Sequence, residues 1–240
     1  MEIKFQLPRP SVPGVPAGPS STIIRNNVFI KNDQPSPVGN RPNVLVGGFP
    51  DSGPGSTDLY EIYGNFFDHN PREALFQGSG RISFHDNILV DGQYAAAVFR
   101  SQDLPLKLAY VYNNTIYTSQ TGIKFGSLAT QDDAVVGNLV FAGAPISGSI
   151  AHVADNVVDS IANAVNYVNQ PSFVLGSMNF YPLAGEAQGT PLDMSKFATN
   201  MDYNLDFNQT AESTFAFRGA YAGAGVNPGW ELQADIKPLQ

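Results

Sequence analysis

The chain has 240 residues, 42% of them apolar and only 14% charged, with 23 glycines, 18 prolines and no cysteine. That balance supplies one continuous core broken by many turns and is not the composition of a helical protein, while the lack of cysteine excludes disulfides, thiol chemistry and thiolate metal sites. A formal net charge of -8 and a pI near 4.7 give no broad attraction to nucleic acid or to an anionic membrane, and no run approaches the roughly 18 apolar residues of a spanning helix.

Residues 1–20 read as an extended, Pro-rich entry, because Pro8, Pro10, Pro13, Pro16 and Pro19 rule out a helix and remove ladder donors. They hold no continuous apolar stretch of the signal-peptide kind. Either the protein is intracellular, or the chain starts after a removed segment and works in an extracellular or periplasmic compartment, which is the expectation.

From residue 21 to residue 169 one pattern recurs, apolar-x-x-Asn-apolar-apolar. It runs through Ile24–Phe29, Ile62–Phe67, Phe84–Leu89, Val111–Ile116, Val135–Val140 and Val153–Val158. The asparagines at its centre are Asn27, Asn65, Asn87, Asn114, Asn138 and Asn156, separated by 38, 22, 27, 24 and 18 residues. A spacing near one coil of a solenoid means stacked units, each unable to bury its apolar face alone. An insertion at about 31–57 contains Asn43-Val44-Leu45-Val46-Gly47, read as a second strand of the first coil. Later coils offer Ala74-Leu75-Phe76, Ala96–Phe99, Gly122–Phe125, Ala144-Pro145-Ile146 and Ala164–Tyr167 in the same place. Stacked coils of this kind make parallel sheets around an apolar interior. Residues 170–240 lose the repeat and read as a C-terminal cap that packs on the last coil and covers its strand edges.

The Asn-Asn-apolar and Gly-Asn-apolar copies resemble the repeats of right-handed parallel β-helix proteins of the pectate-lyase-like superfamily, of the bacterial secreted type. The tail is similar too, with Asp206-Phe207-Asn208 followed by Arg218-Gly219-Ala220-Tyr221. It departs from the usual pattern at Gln209, where Gly is common, and at Ala222, where Glu is common. The resemblance covers residues 21–240 and implies an all-β solenoid of about six coils, the C-terminal portion of such a protein. Members include pectate, alginate and chondroitin lyases, hydrolases, epimerases and proteins without known activity.

Aligned asparagines at one turn can form an amide ladder, which accounts for all six without a ligand. A second group is charged. Lys124 lies between Ile123 and Phe125 and points outward if they point in. Arg100 follows Val98-Phe99 one coil earlier, and Arg72 and Glu73 precede Leu75-Phe76 one coil earlier again. Coils about 4.8 Å apart let such side chains meet. β-Elimination on a uronate needs a cation at the carboxylate, a base at C5 and a proton donor at the leaving oxygen, and lysine or arginine can serve. Related lyases place Lys and Arg on neighbouring coils, and Arg100 with Lys124 resembles that arrangement. The same residues also fit a solvated salt-bridge ladder.

His69, in the polar turn Asp68–Glu73, titrates near neutrality and can act as acid or base beside this column. His85 is expected to point outward from its strand, and no histidine spacing suits zinc. Calcium is an alternative to a side-chain cation in that chemistry, but Asp51, Asp58, Asp132 and Asp133 are scattered. Glu73 with Asp91 or Asp103 would suit a glycoside hydrolase. Tyr60, Tyr63, Tyr94, Tyr110, Tyr112 and Tyr117 offer either core packing or sugar stacking. The leading expectation is a polysaccharide lyase acting on an acidic, uronate-containing polysaccharide. The alternative is a non-catalytic carbohydrate-binding or structural module. An open N-terminal coil would also permit a homo-oligomer.

Overall fold

The computed structural model describes residues 1–4, 6–8, 13–14, 18–34, 37 and 39–238; Pro10 and Pro16 of the expected entry lie outside them. The chain is nearly all-β, and the helical pieces among the described residues are the short 3-10 turns Ile161–Asn166 and Ser195–Phe197. Most strands belong to two parallel sheets, of 10 and 6 strands, in an arrangement compatible with a parallel β-solenoid.

Three parallel ladders build it. The first stacks Ser21–Arg25, Leu59–Tyr63, Gly80–His85, Leu106–Tyr112, Asp132–Val136 and Val153–Ala154. Its register aligns Ile24, Ile62, Phe84, Val111, Val135 and Val153, the leading apolar residues of the six motif copies. The second stacks Val28–Ile30, Phe66–Asn70, Ile88–Gly92 and the first halves of Thr115–Phe125 and Leu139–Ser147, then Val157–Asp159. The third stacks Glu2–Ile3, Val44–Val46, Phe76–Gly78, Ala95–Phe99 and the second halves of the same two long strands. Those long strands bend between Thr118 and Thr121 and so merge the second and third ladders into one sheet.

The corner between the first two ladders explains the repeat. The residue before each ladder asparagine has positive φ: Asn26, Gly64, Asp86, Asn113, Gly137 and Asp155, all between 50° and 67°. Gly, Asn and Asp are the residues that accept this left-handed conformation at least cost. At two corners glycine is also required for space: a Cβ on Gly64 would lie 2.5 Å from Asn26 Oδ1, and one on Gly137 would lie 2.6 Å from Asn113 Oδ1. The turned backbone aims each asparagine at the next coil. Asn65 Nδ2 donates to Asn87 Oδ1 at 3.0 Å, Asn87 to Asn114 at 3.0 Å and Asn114 to Asn138 at 2.9 Å. Each acceptor also receives the backbone N–H of the preceding asparagine.

The two apolar residues after each asparagine have different destinations. Phe67, Leu89, Ile116 and Val140 point into the main apolar core, with Phe76, Phe84, Phe99 and Phe125. Phe66, Ile88 and Leu139 point out and are covered by the C-terminal segment through Phe180, Phe207, Tyr221 and Trp230. Thr115 takes the polar place in that outer row, and its Oγ1 accepts the Ala220 N–H at 2.9 Å.

The packing of this segment is therefore broader than a cover for the last coil. Arg218 donates to Asp155 O at the last corner, and Gly219 N donates to Gly137 O. At the far end Lys237 Nζ reaches the first corners, donating to Gly64 O at 2.8 Å and Asn26 Oδ1 at 3.2 Å. The tail thus runs along the flank of the first two ladders, while on the third the strands Val44–Val46, Phe76–Gly78 and Ala95–Phe99 are buried without it.

Two local expectations need correction. Glu2–Ile3 in the expected entry is a strand, tied to Val44–Val46 by Leu45 N to Met1 O at 3.0 Å. Ala164–Tyr167, expected as a strand, belongs to the 3-10 turn and its cap. The chain leaves the parallel ladders there: Asp159 Oδ1 accepts Ser160 N and Asn163 Nδ2, which closes a turn, and Ala164 is buried against the tail.

Candidate functional site

Lys124 lies in register with Val98 on the third ladder, between the inward-facing Ile123 and Phe125. Its ammonium donates to Tyr94 Oη at 2.7 Å and lies 4.4 Å from the centre of that ring. Tyr94 is 42% exposed, so this pair stands on the surface. Arg100 follows Val98 by two residues, hence on the same face about 7 Å further along the strand. Gly126, on the next coil, leaves room for its stem, and its Nη2 donates to Gln77 Oε1 at 3.1 Å.

Arg72 and Glu73 occupy the turn that enters the third ladder. Both their backbone N–H groups donate to Asn70 Oδ1, and Glu73 Oε1 accepts the Ala74 N–H. Among the described residues, no hydrogen bond or ion pair joins Arg72 or Glu73 to Arg100 or Lys124. Nor does Glu73 bond to Asp91 or Asp103.

His69 stands at the end of the second ladder, in a left-handed backbone conformation with φ of 56°. Its Nδ1 meets Asp91 Oδ2 at 2.7 Å and its Nε2 meets Asp33 Oδ1 at 3.0 Å. Burial works against a charge on the ring, but the two carboxylates outweigh it and the pKa is raised. The ion pairs are therefore complete below the ordinary imidazole range and are lost as pH rises through the raised value. Asp33 belongs to the 31–57 insertion, so the expected outcome is an insertion held more tightly at pH 5.5 than at pH 8.5. Amide hydrogen exchange over residues 31–34 measures this, and equal protection at both pH values would contradict it.

A second polar group escaped sequence reasoning. Tyr63, His85 and Tyr112 occupy one register column of the first ladder. Their rings stack in parallel, with centres 4.9 Å and 4.6 Å apart. His85 leaves the ladder on its outer side, as expected, and the C-terminal segment covers it, so that it is 0% exposed. Burial holds its pKa down to about 3, so the ring is neutral. Its Nδ1 lies 2.7 Å from Asp86 Oδ2, and burial, with Glu212 and Asp206 nearby, raises the Asp86 pKa well above the carboxylate range. Burial also lifts Glu61 and Glu212 to about 7 and lowers Lys237 to about 7.

A cavity of about 280 Å³ opens beside this group, lined by Arg25, Tyr63, Asp86, Asp202, Asp206 and Gln209. Asp202 ties Tyr63 Oη at 2.8 Å and Arg25 Nη1 at 3.1 Å. Asp206 accepts the N–H groups of Thr210 and Ala222. The Asp202 bonds fasten the tail to the first ladder, and the Asp206 bonds hold the tail's own turns. The signal available in the sequence was the ring column, since Tyr63, His85 and Tyr112 each directly follow a leading apolar residue of the motif.

Among the described residues, no group of three or more His, Asp or Glu side chains is placed to hold a metal ion. No described helix is long and apolar enough to cross a membrane. No family model matches the chain, and no curated protein and no solved structure matches it.

Proposed function

We propose that the three ladders are the faces of a right-handed parallel β-helix of about six coils, of the pectate-lyase-like kind, and that its third face binds uronate-containing polysaccharide outside the cytoplasm. The observation that carries this reading is the surface Lys124–Tyr94 pair on the third ladder, with Arg100 on the same side of the strand. An exposed ring stacks on a sugar, and neighbouring cations take its carboxylate.

In the catalytic form of this reading, a base on that face takes the C5 proton. The C4–O4 bond breaks, a C4=C5 double bond forms, and the leaving oxygen takes a proton. Arg100 and Lys124 would neutralise the carboxylate in the enolate-like state. The separate anchoring of Arg72, Glu73 and His69 favours the second form, a non-catalytic binding module. Association of copies through the strand edge at Ser21–Arg25 belongs to this proposal as a further property, read by gel filtration at several concentrations.

Absorbance of the conjugated product during incubation with pectate, alginate and glycosaminoglycans, with and without calcium, separates the forms. Rising absorbance that Lys124→Ala abolishes supports the lyase. A flat trace with binding weakened about tenfold by Lys124→Ala supports the module. Neither turnover nor binding across the panel would sink the proposal.

A further inference from the structure

The C-terminal segment contains a cavity of about 420 Å³ between the antiparallel strands Val168–Gln170 and Asn179–Pro182 and the stretch 221–233. That volume falls in the usual range for small-ligand sites, about 300–1,000 Å³. Its lining is rich in carboxamides. Asn169 Nδ2 donates to Tyr181 O at 2.7 Å and Gly225 O at 2.8 Å, which fixes the amide and leaves its Oδ1 as a spare acceptor. Asn179 is fixed in the opposite sense: its Oδ1 accepts the Tyr181 N–H at 3.0 Å, which leaves Nδ2 as a spare donor. Gln170 and Gln233 line the same cavity and have no side-chain hydrogen bond among the described residues. Met178 and Leu232 supply an apolar floor.

We propose that this cavity binds a neutral sugar unit of an oligosaccharide. Each sugar hydroxyl both donates and accepts, so it suits a wall that offers spare donors and spare acceptors already held in orientation. The C–H face of the ring suits the floor of Met178 and Leu232. Glu231 is the one ionisable group on the wall apart from Tyr221, and its carboxylate opposes an acidic sugar. The site is therefore chemically distinct from the third face, and it stands whether or not that face binds a uronate.

The test is titration of the whole chain with cellohexaose, mannohexaose, xylohexaose and maltohexaose, followed by calorimetry and by chemical shifts of the Asn and Gln side-chain amides. The expected result is saturable binding to at least one of them, with shifts at Gln170 and Gln233. Gln170→Ala and Gln233→Ala should each weaken it about tenfold, as expected for a lost hydrogen bond to a ligand. Both side chains are exposed, so the variants should keep the parent melting temperature. Lys124→Ala should leave this binding unchanged, which separates it from the third face. No binding to any of the four, binding untouched by both glutamine variants, or binding lost with Lys124→Ala would each overturn the proposal.

Discussion

Asn114→Ala is expected to destabilise the protein by about 3–5 kcal/mol. Asn114 is 0% exposed and central in its column. Its Oδ1 accepts Asn87 N and Asn87 Nδ2, each at 3.0 Å. Its Nδ2 donates to Phe84 O, Tyr112 O and Asn138 Oδ1. Alanine removes all of these and leaves the buried Asn87 N–H and two strand-end carbonyls short of partners. A satisfied hydrogen bond contributes about 1 kcal/mol, and an orphaned buried group costs about 1–3 kcal/mol. Asn27→Ala is the control. It lies at the end of the column, and its Oδ1 accepts nothing among the described residues, so its loss should stay near 1 kcal/mol. Denaturant midpoints of the two variants give the comparison. Equal losses would mean that the amide ladder is a passenger of the fold and not one of its supports.

That ladder was legible because every link of it repeats a local pattern. A left-handed residue, an asparagine and an inward apolar residue recur at each corner, and one coil predicts the next. Lys124 was legible for a similar reason, since alternation alone places it opposite Ile123 and Phe125. The flank contacts had no such pattern. Lys237 meets Gly64 across 173 residues and Ala220 meets Thr115 across 105, and nothing near either residue announces the partner. The outer apolar row did announce a cover, because Phe66, Ile88 and Leu139 cannot point inward beside Phe67, Leu89 and Val140. Read as core, the paired apolar residues hid it. Ala164–Tyr167 failed differently: a short apolar run fits a strand or a turn equally, and beyond Val157–Asp159 no further coil offers it a partner. The charged column divided because Asn70 takes the backbone of Arg72 and Glu73 into its own turn. A turn of that kind is visible only once Asn70 is known to lie at the end of a strand.

The covered flank sets the second large effect, on pH. Glu61 and Glu212 are 3% and 8% exposed, and burial raises each carboxyl from 4.5 to about 7. A folded-state pKa above the unfolded one means that the folded chain holds the extra proton. The stabilisation is complete below pH 4.5 and is lost as pH rises through about 7, roughly 3 kcal/mol for each group. Asp68, raised to about 6 by burial, acts in the same direction from 3.8 upward. His85 opposes them: its pKa falls from 6.5 to about 3, so its share is present above 6.5 and is lost as pH falls toward 3. Lys237, lowered from 10.5 to about 7, restores stability only above neutrality. Glu61, Glu212 and Asp68 outweigh His85 between pH 4.5 and 6, and above 6.5 the two glutamates act in the same direction as Asp86 and His69, whose folded-state pKa values are also raised. The melting temperature should therefore be higher at pH 5 than at pH 7, the reverse of a protein whose carboxylates are stabilised as anions. Glu61→Gln and Glu212→Gln keep the neutral shape and should each flatten the fall, raising the melting temperature at pH 7 more than at pH 5. A melting temperature that climbs from pH 5 to pH 7 in the parent chain, or variants that track it in parallel, would show that these carboxyls reach water and that the tail does not seal the first ladder.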